Sequence, residues 1–357
     1  MGVKKLWIIG LINIAFVIMA FVIAEDVIDK GRQYNKNMHE HVEVLTFKDR
    51  LLNQDEWVML ITGKVISSVE DKVWLDKKLK SEQKLIEAEQ NYQEAKDLSA
   101  YIVYMILGLI LVTIILYAGT KTILLAMGAS LVSVSMVLLY LGLYSPMIEI
   151  HAYDEDLKIP IVIKFDEMAA TGDEYINKGS EYIEGLSEYL GYKLDVPTYH
   201  PLSWLADGYK YDHSVVFEGK MYYYFQSKSV DAIIKLLFKD KNYTLGWALL
   251  CFSIFFPILK IILTLMLVYI PKIRRIPVFS MLLNIIGKWS MADIFVAAVF
   301  LAYFSFHNMN TAIETSSHSL IGLDFFLGYA IISILASIMI WAATKKETQL
   351  KFYEAVI

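Results

Sequence analysis

Two ionisable residues stand in apolar, membrane-length stretches where lipid would be expected. Lys260 ends the run Ser253-Ile254-Phe255-Phe256-Pro257-Ile258-Leu259-Lys260, and Asp293 lies within Lys288-Trp289-Ser290-Met291-Ala292-Asp293-Ile294-Phe295. A lysine or aspartate inside a bilayer costs at least about 2.5–3.5 kcal/mol on insertion scales, so it usually faces a bundle interior and pairs. Ser253 and Lys260 are two helical turns apart and share a face, as do Ser290 and Asp293, three apart. Pro257 cannot donate to the carbonyl of Ser253, so the helix should bend and free a polar backbone group. Such a group is tolerated in a membrane only where protein or water meets it. Ser333 and Ser337, further along, could complete the cluster. A lysine, an aspartate and hydroxyls together can meet a charged headgroup or pass a proton. The plainer readings are a structural ion pair that sets helix packing, or an Asp293 that snorkels to water.

Residues of this kind need a membrane bundle to position them, and the composition supplies one. The chain has 357 residues, 56% of them hydrophobic, and a mean hydropathy of +0.46, values of an integral membrane protein. A net charge of -5 implies no nucleic-acid partner. The lone Cys251 allows neither an intramolecular disulfide nor a cysteine-based zinc site. Walker, G-x-G-x-x-G, H-E-x-x-H and G-x-S-x-G patterns are absent, so neither an enzyme nor a cofactor is expected.

Six transmembrane segments are expected: Leu6–Ala24, read as an uncleaved anchor, Tyr101–Ala118, Ile123–Tyr144, Tyr243–Ile270, Trp289–Phe306 and Leu320–Ala343. Lys4-Lys5, then Lys272, Arg274, Arg275 and Lys288, then Lys345-Lys346 and Lys351 all fall on one side of this scheme. The positive-inside rule makes that side, and both termini, cytoplasmic. The expected fold is a mainly α membrane protein. Residues 1–118 form the first segment, a long external helical hairpin and the second segment; 119–146 the third. Residues 147–242 form an external α+β domain, 243–345 the last three segments, and 346–357 a cytoplasmic tail.

In the hairpin, Met38, Leu45 and Leu52, and Leu79 and Ile86, recur at seven-residue spacing and predict a narrow seam. Ser67-Ser68-Val69-Glu70 reads as a capping box that starts the second arm. Its tip is apolar, with Trp57, Met59, Leu60 and Ile61 among charged arms. It either docks a partner or lipid, or packs back on the second external domain or on another subunit. His39-Glu40-His41 is expected to be solvated surface, because residues two apart on a helix face different ways. In the second domain, Ile148–Tyr153 and Ile159–Phe165 read as strands, Met168–Tyr192 as helix, and Ser214–Phe217 with Lys220–Phe225 as a hairpin turning at Gly219. Val230–Phe238 reads as an amphipathic helix at the membrane surface, His307–Ser319 as a short loop. Tyr222, Tyr223, Tyr224, Tyr243 and Trp247 suit an interfacial belt. The small residues Gly128, Ala129, Ser130, Ser133 and Ser135 suit close helix packing.

Leu141-Gly142-Leu143-Tyr144-Ser145-Pro146-Met147-Ile148, Phe255-Phe256-Pro257-Ile258-Leu259-Lys260 and Gly287-Lys288-Trp289-Ser290-Met291-Ala292-Asp293-Ile294-Phe295 occur in this order. Together they resemble the paraquat-inducible protein A family of bacterial inner-membrane proteins over about residues 120–345. The resemblance implies one tetraspan-like four-helix module that works beside an MCE-domain protein, whose rings carry lipids across the periplasm. It also implies a polar core at Ser253, Lys260, Ser290 and Asp293, loading or receiving phospholipid. Well-studied members carry two modules and cysteine-rich zinc ribbons; this chain has one module, no ribbon, and a hairpin without family match. A sensor or assembly scaffold and a proton-coupled transporter remain the alternatives.

Overall fold

The computed structural model describes residues 2–54, 56–57, 60, 69–120, 122–164, 172–179, 181–182, 184, 210–274, 279 and 314–356. Helix α1 runs Gly2–Val44, α2 Phe47–Leu51, α3 Val69–Tyr117 and α4 Ile123–Tyr144. Strands β1 (Ile148–Lys164) and β2 (Lys210–Lys228) follow, then α5 (Val230–Lys239). Next come α6 (Tyr243–Leu250), a π-helical turn (Cys251–Phe255) and α7 (Phe256–Tyr269). The short α8 (Pro271–Arg274), strand β3 (Glu314–Ser319) and helix α9 (Ile321–Val356) complete the described elements.

Five helical segments among these residues are long and apolar enough to cross a membrane: Trp7–Val44, Asp76–Tyr117, Ile123–Tyr144, Tyr243–Tyr269 and Ile321–Thr344. The expected fifth segment, Trp289–Phe306, lies outside the described residues. Exposed apolar residues fall in helical stripes, such as Leu11, Ile14, Ile18 and Val22, or Leu327, Ile331, Leu335 and Ile338. Spacings of three and four place each set on one face, the face a bilayer would cover. In α4, by contrast, 78% of the apolar window is buried, against 17–44% in the other four. It is the central helix, and α9, α1 and α7 pack on it. Small residues permit this, since a Cβ on Gly142 would come within 2.8 Å of the Phe326 backbone.

Two compact units divide the chain: Met1–Leu52, Lys72–Asp154 and Tyr222–Ile357 form the first, Asn53–Asp71 and Glu155–Met221 the second. In the first, α1 and α3 form the expected antiparallel pair beyond their apolar runs. Lys30 Nζ is 2.5 Å from Glu94 Oε2, Lys84 Nζ is 3.7 Å from Glu40 Oε2, and Ser81 Oγ donates to the His41 carbonyl at 3.0 Å. The seam differs from the expected one. Leu52, Leu79 and Ile86 are exposed, and the buried heptad on α3 is Ser81, Ala88, Ala95, Ile102 and Leu109. Small side chains there make room for the rings of Tyr34 and Tyr92, 5.2 Å apart, so bulk at Leu79 and Ile86 would not fit. His41 is buried in this seam, with Nδ1 2.9 Å from Ser81 Oγ, which corrects the expectation of a solvated histidine. The first arm ends at Val44; an isolated bridge then joins Thr46 to Tyr222 of β2.

A three-stranded sheet, in the order β2-β1-β3, closes one end of the bundle. β3 replaces part of the expected loop, pairing antiparallel with β1 from Ile148↔Ser319 to Tyr153↔Glu314. Its sequence Glu-Thr-Ser-Ser-His-Ser has no apolar alternation, so neighbouring backbone rather than side-chain pattern makes it a strand. Tyr222 lies buried on the sheet rather than in an interfacial belt.

The two expected short strands are the single strand β1, and the expected hairpin is the continuous strand β2. Gly219 does adopt positive φ (83°), yet it lies within the continuous strand rather than at a chain reversal. Asp156, itself at φ 54°, accepts its N–H at 2.8 Å. The described part of residues 172–184 is helical. α9 continues through the expected tail to Val356.

Candidate functional site

The fourth apolar segment is built around Pro257. With no N–H at 257, the α-helical ladder is interrupted, and the chain widens into the π-helical turn just before it. There the Phe256 N–H reaches back five residues to the Cys251 carbonyl. Below the turn, Pro257, Lys260, Ile261, Thr264, Leu267 and Val268 form the buried stripe of α7. Ser253 is fully buried as well, and its Oγ has no hydrogen-bond partner among the described residues.

Lys260 is 5% exposed. It lines a cavity of about 10 Å³ with Ser135 and Val132 of α4, Ile261 and Thr264 of α7, and Ser333, Ala336 and Ser337 of α9. That volume is near the smallest that holds one water. The hydroxyls turn their protons back onto their own helices: Ser135 to the Val132 carbonyl (2.8 Å), Thr264 to Lys260 (2.6 Å), Ser337 to Ser333 (2.8 Å). Each then offers the cavity an oxygen as acceptor. A lysine, which only donates, thus lines one small cavity with hydroxyl groups from three helices. A lysine and hydroxyls gathered from three helices can together hydrogen-bond a polar or anionic group.

The structure brings Lys260 and Ser333 together in one cavity, with Pro257 on the same buried stripe of α7 and Ser253 buried one turn before Pro257. Ser290 and Asp293 lie outside the described residues, so the pairing of Lys260 with Asp293 is not part of the observed geometry. At the expected docking tip, Met59 and Ile61 also lie outside them. Trp57 sits edge-on to Phe217 at 5.1 Å within the second unit, the packing alternative weighed for it, and Leu60 is half-buried.

Ser135 and Thr264 extend the expected cluster; Ser135 reads in sequence as a packing residue. A second polar chain went unread. Asn13 Nδ2 lies 3.4 Å from Tyr269 Oη, Ser130 Oγ donates to Asn13 Oδ1 at 3.1 Å, and Thr113 Oγ1 lies 3.0 Å from Ser130 Oγ. It links α1, α3, α4 and α7. An asparagine in an otherwise apolar span was the available signal. A third cluster lies under the sheet: Tyr34 Oη donates to Glu149 Oε2 at 2.6 Å, and His151 Nε2 is 2.5 Å from Glu149 Oε1. No group of three or more His, Cys, Asp or Glu residues that could hold a metal occurs among the described residues.

The stretch from β2 into α9 that carries the lysine cavity has known counterparts. Residues 221–345 match the paraquat-inducible protein A family. The match takes in Ser253, Pro257, Lys260, Ser290, Asp293 and Ser333, and it begins later than the resemblance at about residue 120. Residues 1–220, with the α1–α3 hairpin and α4, lie outside it. No curated protein and no solved structure matches the chain. With five apolar helices of spanning length among the described residues, the chain is a multi-pass membrane protein, and its residues 221–345 are similar to the paraquat-inducible protein A family.

Proposed function

We propose that this protein is the inner-membrane component of an MCE-type lipid transport system in a bacterium, loading or receiving phospholipid beside a periplasmic tunnel protein. The observation that carries the reading is the buried Lys260, inside the segment matched by the family, in a cavity it shares with hydroxyl groups of three helices. A buried cation with no catalytic motif around it suits recognition of a phosphate or relay of a proton better than bond-breaking chemistry. Asp293, in the next apolar stretch, is the proposed counter-charge. Both termini are cytoplasmic in this scheme, since every basic loop then falls on one side. The sheet and the α1–α3 hairpin then face the periplasm, where the MCE-domain partner docks.

The test is complementation of an outer-membrane lipid-barrier defect by Lys260→Ala and Asp293→Asn, with expression and melting temperature measured in parallel. Loss of complementation at normal expression supports the reading. Full activity in both variants rejects it, and loss of expression assigns the pair to packing alone. Co-purification with an MCE-domain protein tests the partner, and its absence would leave a membrane scaffold.

A further inference from the structure

A larger cavity lies at the sheet-bearing end of the bundle, in the first unit and apart from Lys260. It has a volume of about 350 Å³ and is lined by Arg32 and Asn35 of α1, Tyr144 and Pro146 at the exit of α4, and Ser229, Asp231, Ala232 and Lys235 at α5. Tyr144 is the last residue of its apolar helix, and α5 is amphipathic, with Val230 and Ile234 buried, Ile233, Leu236, Leu237 and Phe238 half-buried, and Lys235 and Lys239 exposed. Tyr243 and Trp247, exposed just after α5, are of the types that gather at membrane interfaces. The cavity therefore opens at the level where hydrocarbon gives way to headgroups.

Its lining has unused capacity for a phosphate. Arg32 makes one ion pair, Nη1 to Asp29 Oδ1 at a long 3.4 Å, which leaves most of its five N–H donors uncommitted among the described residues. The Ser229 hydroxyl accepts the Ala232 N–H at 3.2 Å as the helix cap, and its own proton has no acceptor among them. Lys235 is held by Asp231 at 2.7 Å, so a cation and a carboxylate stand side by side.

We propose that this cavity binds a phosphate ester, the headgroup of a membrane phospholipid, with Arg32, Ser229 and Lys235 on the phosphate. Asp231 meets the ammonium where the headgroup is ethanolamine. Phosphate oxygens favour a guanidinium and a hydroxyl donor, and a headgroup carrying both charges matches a lining that carries both. The choice of lipid over free phosphate rests on the transport reading above; the phosphate chemistry does not.

The experiment uses the full-length protein in detergent and measures binding of dihexanoyl-phosphatidylethanolamine, dihexanoylglycerol and inorganic phosphate. Wild type is expected to bind the first and not the second. Arg32→Ala should weaken binding about tenfold or more, the loss of a charge-assisted contact, and Arg32→Lys should restore part of it. Unchanged binding by Arg32→Ala and Lys235→Gln overturns the site, as does equal binding of dihexanoylglycerol. Binding of inorganic phosphate alone overturns the lipid as its source. Complementation by Lys260→Ala and lipid binding by Arg32→Ala are separate readouts, so failure of the transport reading and failure of this site give different results.

Discussion

Glu149→Ala is the substitution whose cost can be worked most directly from the geometry. The side chain is 3% exposed and holds two partners from different parts of the chain: Tyr34 on α1 at 2.6 Å and His151 on β1 at 2.5 Å. His151 Nδ1 is already buried without a partner among the described residues. Removing the carboxylate leaves the Tyr34 hydroxyl and His151 Nε2 buried and unsatisfied, and each such group costs about 1–3 kcal/mol. The expected total is about 2–6 kcal/mol, a large part of the roughly 5–15 kcal/mol that holds most domains folded. Glu149→Gln keeps one acceptor oxygen and should lose about half as much. Melting temperature in a fixed detergent, followed by size-exclusion chromatography, should fall by roughly 5–10 °C for alanine. The glutamine variant should fall between alanine and wild type. A double-mutant cycle with Tyr34→Phe should be strongly non-additive, because the two share one bond. An alanine variant that melts with wild type, or strict additivity in the cycle, would refute the claim that this network ties α1 to the sheet.

Gly142→Ala should lower the melting temperature more than Gly128→Ala, by about 1–3 kcal/mol in stability. The first Cβ meets Phe326 backbone at 2.8 Å, whereas the second meets the Ile340 side chain at 2.4 Å and backbone only at 3.6 Å; equal effects would reject backbone contact as the cause. Burial, then the nearby Tyr153 and Glu149, push the Tyr222 phenol from 10.0 up to about 12. The folded state therefore holds that proton longer than the unfolded chain, and stability should fall as pH rises from about 10 to about 12. Tyr222→Phe should lose less over that window in thermal melts, and an identical alkaline loss would rule out this tyrosine.

How much of this was readable in advance can be traced residue by residue. Sequence alone determined the membrane residence and the spans within the described residues, because about twenty consecutive apolar residues have few other stable fates. It also located the interruption at Pro257, since a missing N–H is a covalent fact, and it marked Lys260 because burying a charge is costly wherever the helix lies. Only tertiary structure decided what surrounds that charge. Ser135, Thr264 and Ser333 come from three helices, and no periodicity within one helix tells which neighbour its polar face will meet. The same reason separates the expected seam from the real one: Leu79 and Ile86 have the right spacing, but the small Ser81, Ala88 and Ala95 admit the Tyr34 and Tyr92 rings. β3 shows it most plainly. Glu314–Ser319 carries no strand pattern and is a strand because Ile148–Tyr153 offers it an edge to pair with, and backbone hydrogen bonds to a neighbouring strand leave no mark in a residue's own side chains.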